Sequence, residues 1–241
     1  MLYNAGSYDE AIESAMAARK LPQASDAAAL VMARAMLEKY RQSETPSDLS
    51  DARDLLATIH PVALTPRDQL DLLIGLGQSL YLAETFGAAA ELFDVALSST
   101  VAMEERDRLM LLEWWATALD RDAQIRPPDR RGRVYERISQ RMEQELRRDP
   151  GCAPANYWLA VAARGAGDLD VAWTAAIAAW VRATLSPQST DSLRADVDRF
   201  VTQALIPERV RNRPAREQPD ATTALRAEWE TIKMQWKGGA P

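Results

Sequence analysis

The sequence has one cysteine, Cys152, and one histidine, His60, in 241 residues. A single cysteine excludes an internal disulfide and a cysteine-rich metal site. Most nucleophilic triads and acid–base sites use histidine, and we expect His60, which precedes Pro61, to cap a helix end instead. Cys152 follows Pro150-Gly151 in a turn and is expected to be an inert thiol. No His, Cys and carboxylate cluster has metal-ligand spacing, so the sequence predicts no catalytic residue, metal site or cofactor.

Long apolar runs are also absent. None approaches the roughly 20 residues that a membrane-spanning helix needs. Residues 1–6 have neither the basic start nor the apolar core of a signal peptide. Apolar content of 47% with 27% charged residues is typical of a soluble protein, and a net charge of −6 argues weakly against nucleic acid or an anionic membrane as partner. Scarce glycine and few aromatic residues favour helix.

Residues 156–180 are the most informative stretch. Two apolar helical runs flank Gly165-Ala-Gly-Asp168, and small residues recur where two helices must touch. Similar sequence patterns occur at residues 5–11 and 86–97. A short unit that recurs along a chain indicates stacked helical hairpins.

Apolar periodicity and helix-breaking residues predict an all-α chain without strands. A Pro- and Arg-rich linker is expected over residues 207–219. The predicted helices are 7–21, 25–42, 49–59, 66–84, 87–98, 103–124, 130–148, 154–164, 169–184, 190–205 and 221–237.

These hairpins resemble tetratricopeptide repeats, in which small residues let two helices approach and large residues fill the gaps. The Leu-Gly pair of the family falls on Leu76-Gly77. The run Gly75-Leu-Gly-Gln-Ser79 lacks the lysine and the spacing of a phosphate-binding loop, so we expect its glycines to serve close helix packing instead. The small–large–small pattern falls on Ala11, Ala15 and Ala18; Ala52, Leu56 and Ile59; Ala89, Phe93 and Ala96; and Ala172, Ala176 and Ala179.

The resemblance implies a right-handed α-solenoid. Residues 1–205 would form four to five degenerate repeats, and residues 206–241 would form a linker and a C-terminal capping helix. The anchors Ala11, Ala52, Ala89 and Ala172 are 41, 37 and 83 residues apart, so the units are irregular and longer than the 34 residues of the family.

The helix at residues 7–21 lacks an upstream partner. Either the chain has been cut from a longer protein, which we expect, or this helix is a natural cap at the start. The compartment therefore stays open between the cytoplasm and a bacterial cell envelope.

The resemblance also implies a function: a non-enzymatic scaffold that holds a protein or peptide in a groove lined by the first helix of each pair. A merely solvated surface remains the alternative for each single residue. By register, the groove positions include Arg34, Gln78, Tyr81, Glu113, Thr117, Tyr157 and Arg164.

An arginine-rich unit at residues 126–148 supports an alternative function, a regulatory module that binds nucleic acid or a small signal. Glu136, Glu143 and Glu145 interleave with the arginines, so a solvated face of Arg–Glu pairs is the blander interpretation. A third interpretation, intermediate between these two, is a basic patch that binds an acidic peptide. The arginines are Arg126, Arg130, Arg131, Arg133, Arg137, Arg141, Arg147 and Arg148.

The tryptophans divide into three groups. Packing within the repeats is expected for Trp115, Trp158, Trp173 and Trp180. Trp114 is adjacent to Trp115, so both cannot face one core and one of them can be exposed. The tail helix aligns four residues on one apolar face, which predicts docking as a cap, with self-association as the alternative. These four are Leu225, Trp229, Ile232 and Trp236.

Overall fold

The computed structural model describes residues 6–185, 191–211 and 213–237, and the regular secondary structure in those ranges is helical. A helix content of 85%, with no strand in the ranges described, confirms the predicted all-α fold. The predicted helix start at Thr190 lies outside the described residues. The α-helices are α1 (Tyr8–Ala18), α2 (Ser25–Ser43), α3 (Pro46–Ala57), α4 (Pro66–Leu82), α5 (Phe86–Leu97), α6 (Glu105–Ile125), α7 (Pro128–Arg148), α8 (Ala153–Ala166), α9 (Leu169–Leu185), α10 (Asp191–Phe200), α11 (Ile206–Arg211) and α12 (Gln218–Gln235).

The chain divides into two compact units, residues 1–122 and 123–241. In the first unit, α2 contacts α1, α3 and α4, and α4 also contacts α3 and α5. In the second unit, α7 packs on α8, α8 on α9, α9 on α10, and α11 on α12. Each unit is therefore built from helices that pack on their neighbours in chain order, as helical hairpins do.

Prolines and positive backbone angles set the helix boundaries. Pro46 starts α3 earlier than the sequence pattern predicts, because proline fits the first turn, where its missing N–H is not needed. Thr65 caps α4, since its hydroxyl oxygen accepts a hydrogen bond from the backbone N–H of Asp68 at 3.2 Å. Gly167 has φ +88° and ends α8, a conformation that glycine adopts without strain.

Small residues line the contacts between paired helices. The anchor positions of α1, α3, α5 and α9 are buried, apart from a half-buried Ala18. In α5 and α9 these side chains are at most 1% exposed. Alanine-sized side chains let the helix axes approach, and large buried side chains such as Trp115, Phe93 and Leu112 fill the remaining space.

Two glycines lie where a larger residue would collide with the neighbouring helix. A Cβ on Gly77 in α4 would lie 2.5 Å from Cε1 of Phe93 in α5. A Cβ on Gly165 in α8 would lie 2.4 Å from the ring of Tyr135 in α7. Both aromatic rings are buried. Close helix packing therefore explains Gly77, whereas a Cβ on Gly75 would make only ordinary contacts, at 3.5 Å from Arg34 and Leu56.

The predicted linker begins later than the sequence indicates. The chain continues from α10 through a π-helical turn, Val201–Leu205, directly into α11. Pro207 has no N–H to donate, and in a regular helix its ring would clash with the carbonyl four residues earlier. The π turn widens the helix at that point, and buried Val210 keeps α11 packed.

Candidate binding face

Three first-unit helices bring charged and aromatic side chains together at one face. These side chains lie on α2, α4 and the first-unit part of α6. We call this surface the α2–α4–α6 face, defined by Arg34, Glu38, Arg41, Arg67, Asp71, Gln78, Tyr81, Asp107 and Trp114.

One end of the α2–α4–α6 face is a chain of alternating charges. Arg34 Nη1 lies 3.0 Å from Asp71 Oδ2, which joins α2 to α4. Arg67 Nε lies 3.7 Å from Asp71 Oδ1, and Arg67 Nη2 lies 3.5 Å from Asp107 Oδ2, which joins α4 to α6. The Arg34 and Asp71 side chains are only 19% and 17% exposed. The more exposed Arg67–Asp107 pair contributes about 0–1 kcal/mol, whereas removal of one partner from the largely buried Arg34–Asp71 pair would leave an uncompensated charge. Together these pairs fix the relative positions of α2, α4 and α6.

The other end of the face is aromatic. Tyr81 meets Trp114 edge to face, with ring centroids 4.8 Å apart, and Phe93 lies 6.0 Å from Trp114. The Arg41 guanidinium lies over the Trp114 ring at 5.1 Å and is held by Glu38 at 2.7 Å. A cation over an aromatic ring at this distance contributes about 0.5–1 kcal/mol when exposed.

Gln78 lies between these two ends on α4. Arg67, Asp71, Gln78 and Tyr81 are spaced i, i+4, i+11 and i+14, which places them on one stripe of the helix. Gln78 is 5% exposed, and its Oε1 is buried with no hydrogen-bond partner among the described residues. A buried acceptor without a donor costs about 1–3 kcal/mol, so this side chain is not there to stabilise the fold.

The predicted groove residues of α6 are less embedded. Glu113 is exposed and precedes Trp114, while Thr117 is half-buried one turn beyond it. Trp114 is also half-buried, whereas Trp115 is 1% exposed, in agreement with the prediction that both cannot face one core.

The two predicted groove residues of the second unit contact the next helix along the chain. The Tyr157 ring meets Phe200 of α10 at 6.0 Å between centroids. Arg164 Nε donates to Glu208 Oε2 of α11 at 3.0 Å. Within this unit, Tyr157 and Arg164 therefore join α8 to the α10–α11 segment.

The sequence did not single out several members of the face. Asp71, Arg67 and Asp107 had no expected role, and Trp114 was expected only to differ in exposure from Trp115, without a role in the groove. The i, i+4 spacing of Arg67 and Asp71 could have indicated an ion pair on the same side of α4 as Tyr81. The partners on α2 and α6 depend on how three helices pack, which single-helix periodicity does not show.

The C-terminal helix α12 is attached through one fully buried residue. Trp229 is 0% exposed, and its ring meets Trp173 and Trp180 of α9 edge to face at 6.2 and 5.5 Å. Its Nε1 donates to Asp198 Oδ1 of α10 at 2.8 Å. Of the predicted apolar stripe, Leu225 and Ile232 are half-buried and Trp236 is 41% exposed.

An ion pair completes the docking of α12. Lys233 Nζ lies 2.7 Å from the same Asp198 oxygen and 2.7 Å from Glu230 Oε1. Burial by itself raises the pKa of Asp198, but hydrogen bonds from Lys233 and Trp229 and the Lys233 charge outweigh it and hold the pKa below its usual value. Burial lowers the pKa of Lys233, but its hydrogen bonds to Asp198 and Glu230 outweigh this and raise the pKa.

The arginine-rich unit lies mainly on α7. Arg141 and Arg148 both approach the buried carboxylate of Glu145, at 3.4 and 3.7 Å. Arg131 Nε donates to the Arg126 carbonyl at 2.8 Å. The exposed arginines of this unit are Arg126, Arg130, Arg133, Arg147 and Arg148.

The two units carry opposite net charge. Residues 1–122 have 20 acidic and 10 basic side chains, a net charge of −10. Residues 123–241 have 15 acidic and 19 basic side chains, a net charge of +4. A field of this sign around the first unit attracts cations and repels anions.

The single histidine and the single cysteine both lie among the described residues. No group of three or more His, Cys, Asp or Glu side chains in the described ranges could hold a metal ion. His60 is exposed, with Nδ1 3.8 Å from Asp26, and Cys152 is buried. Among the helices described, none is both long and apolar enough to cross a membrane.

Comparison with protein-family models, with curated proteins and with solved structures gave no match. The functional interpretation therefore depends on the geometry of the chain itself.

Proposed function

We propose that this protein is a non-enzymatic binding module, a solenoid of tetratricopeptide-like helix pairs that holds a protein or peptide partner. The observation that supports the proposal best is the α2–α4–α6 face. Three successive first helices contribute to it, and ion pairs and an aromatic cluster join them. Such a face offers fixed hydrogen-bonding groups and stacking surfaces at once, which is what an extended or helical peptide requires.

The rigidity of the face favours binding over mere solvation. Arg34, Arg41 and Arg67 are each held by a carboxylate, so little side-chain freedom would be lost when a partner binds. Trp114 is half-buried and kept in place by Tyr81 and Arg41, in the manner of an interface anchor.

A quantitative capture experiment tests the proposal. The full chain is immobilised and cross-linked to proteins of its native extract, and the bound proteins are quantified for wild type and for the double variant Arg41→Ala/Trp114→Ala. Exposed Arg53 on α3 provides the control, Arg53→Ala. We expect a defined set of proteins to be lost from the double variant and retained by the control. Equal recovery from all three proteins contradicts the proposal.

A second candidate function rests on the arginine-rich unit. Residues 126–148 have eight arginines and four carboxylates, and this excess of four equals the whole net charge of the second unit. We propose as the alternative that this unit binds nucleic acid or a small anionic signal. Fluorescence anisotropy with a labelled oligonucleotide tests the nucleic-acid form. If this alternative is correct, binding should weaken steeply as the salt concentration rises, and the double variant Arg130→Ala/Arg133→Ala should not bind.

A further inference from the structure

Gln78 is a buried polar residue that the fold does not explain. Its Oε1 accepts no hydrogen bond from any described residue, although the side chain is 95% removed from solvent. The neighbouring Ser79 is equally buried, but its hydroxyl donates to the Leu76 carbonyl at 2.8 Å. A leucine or methionine at position 78 would fill the same space without an unsatisfied oxygen.

The place of Gln78 points to a ligand. It lies on the α4 stripe between Asp71, which contacts α2, and Tyr81, which contacts α6. A partner on the α2–α4–α6 face would therefore pass over position 78. Turning the Gln78 amide toward such a partner breaks no hydrogen bond of its Oε1, because that oxygen makes none.

The charge of the first unit indicates which partner would be attracted. With a net charge of −10, the unit favours a positively charged segment and repels an acidic one. The arginines of the face do not oppose this, since Arg34, Arg41 and Arg67 are each paired with a carboxylate of the face. An unsatisfied acceptor likewise requires a ligand that brings a donor.

We infer that Gln78 binds the partner directly, and that the segment bound on the α2–α4–α6 face is a basic peptide that donates an N–H to Gln78 Oε1. This inference rests on the proposed function and names the chemistry of its partner. Gln78 is then a residue that lowers the stability of the free protein and is retained for binding. Replacement of a packing residue would have the opposite effect on stability: it would destabilise the protein, and it would weaken binding only because the fold is lost.

The variant Gln78→Met separates the two roles. Methionine has a similar length and a good helix propensity, and it removes the unsatisfied oxygen. We expect the melting temperature of the full chain to stay the same or rise, while peptide affinity falls about tenfold, the effect of one lost hydrogen bond to a charged or polar ligand. Ser79→Ala is the matched control, and it should leave peptide affinity unchanged.

The probe is a library of phage-displayed random 12-residue peptides selected on the full wild-type chain at low salt. We expect the enriched peptides to carry net positive charge. Their synthetic versions should bind about tenfold more weakly when salt rises from roughly 50 to 300 mM. A basic peptide whose affinity Gln78→Met reduces at unchanged stability supports the inference. A lower melting temperature for Gln78→Met overturns it, as does a failure to enrich any peptide.

The outcomes also separate this inference from the proposed function. If the enriched peptides are acidic or neutral but lose binding to Arg41→Ala/Trp114→Ala, the binding face stands and the basic partner is wrong. If basic peptides bind equally to wild type and to that double variant, the binding face itself is wrong, and the inference fails with it.

Discussion

Replacing Gly77 by alanine tests the packing between α4 and α5. In an exposed helix interior, Gly→Ala stabilises by about 1 kcal/mol, because alanine restricts the unfolded chain and favours the helix. At position 77 the added Cβ would lie 2.5, 2.8 and 3.1 Å from three carbons of the Phe93 ring. Phe93 is 0% exposed, so the ring has no solvent-filled space to enter. Overpacking of this kind costs about 1–3 kcal/mol.

Gly132 provides the matched control. It lies in α7, is exposed, and a Cβ there would meet nothing within 4 Å. Gly132→Ala should therefore show the propensity gain alone. Since both variants share that gain, the difference between them isolates the steric term, and we expect Gly77→Ala to be about 1–3 kcal/mol less stable than Gly132→Ala.

Urea unfolding followed by far-ultraviolet circular dichroism measures this difference. A double-mutant cycle with Phe93→Leu adds a direct test, because a smaller side chain makes room for the new methyl group and should reduce the cost of Gly77→Ala. The reasoning is refuted if Gly77→Ala is as stable as Gly132→Ala, or if its cost is the same with leucine at position 93.

Three further expectations concern the second unit. Trp229→Ala should cost about 3–5 kcal/mol of local stability and make α12 the first site of limited proteolysis. Trp229→Phe should cost only about 1 kcal/mol, because it mainly removes the hydrogen bond from the indole N–H to Asp198. The pKa of Asp198 is lowered in the folded protein, so its contribution to stability is present above about pH 4 and is lost as pH falls through that lowered pKa. Proteolysis of α12 should rise over that range in wild type and rise less in Asp198→Asn, which keeps the Lys233–Glu230 ion pair. Pro207→Ala should let the π turn Val201–Leu205 relax to a regular α-helix, visible as new amide protection by hydrogen exchange at positions 203–207, and unchanged protection there would contradict the assigned cause.

The sequence predicted the helices well because their cores are simple. Alanine and leucine at i, i+4 and i+7 mark a buried stripe, and Pro66 marks the start of α4. Pro46 and Pro128 start α3 and α7 a few residues before the predicted positions. The end of the α10–α11 segment was misplaced because Pro207 is a reliable helix breaker only in a regular helix. The π turn accommodates Pro207, and no local sequence pattern predicts a π turn.

The candidate site was only partly predictable. The resemblance to tetratricopeptide repeats, carried over by register, placed Arg34, Gln78 and Tyr81 on first helices, and these three belong to the α2–α4–α6 face. The partners of these residues, Asp71 and Trp114, come from other helices, and which side chains meet is decided by how three helices pack. The unpaired state of Gln78 is likewise visible only when all of its neighbours are known.

The binding face is tested most directly by hydrogen exchange on the full chain, with and without a saturating peptide selected on it. The account predicts that the peptide slows exchange in α4 (Pro66–Leu82) and in the first-unit part of α6, and leaves α3 (Pro46–Ala57) and α5 (Phe86–Leu97) unchanged. Protection confined to α3 and α5, or to the arginine-rich residues 126–148, would contradict it.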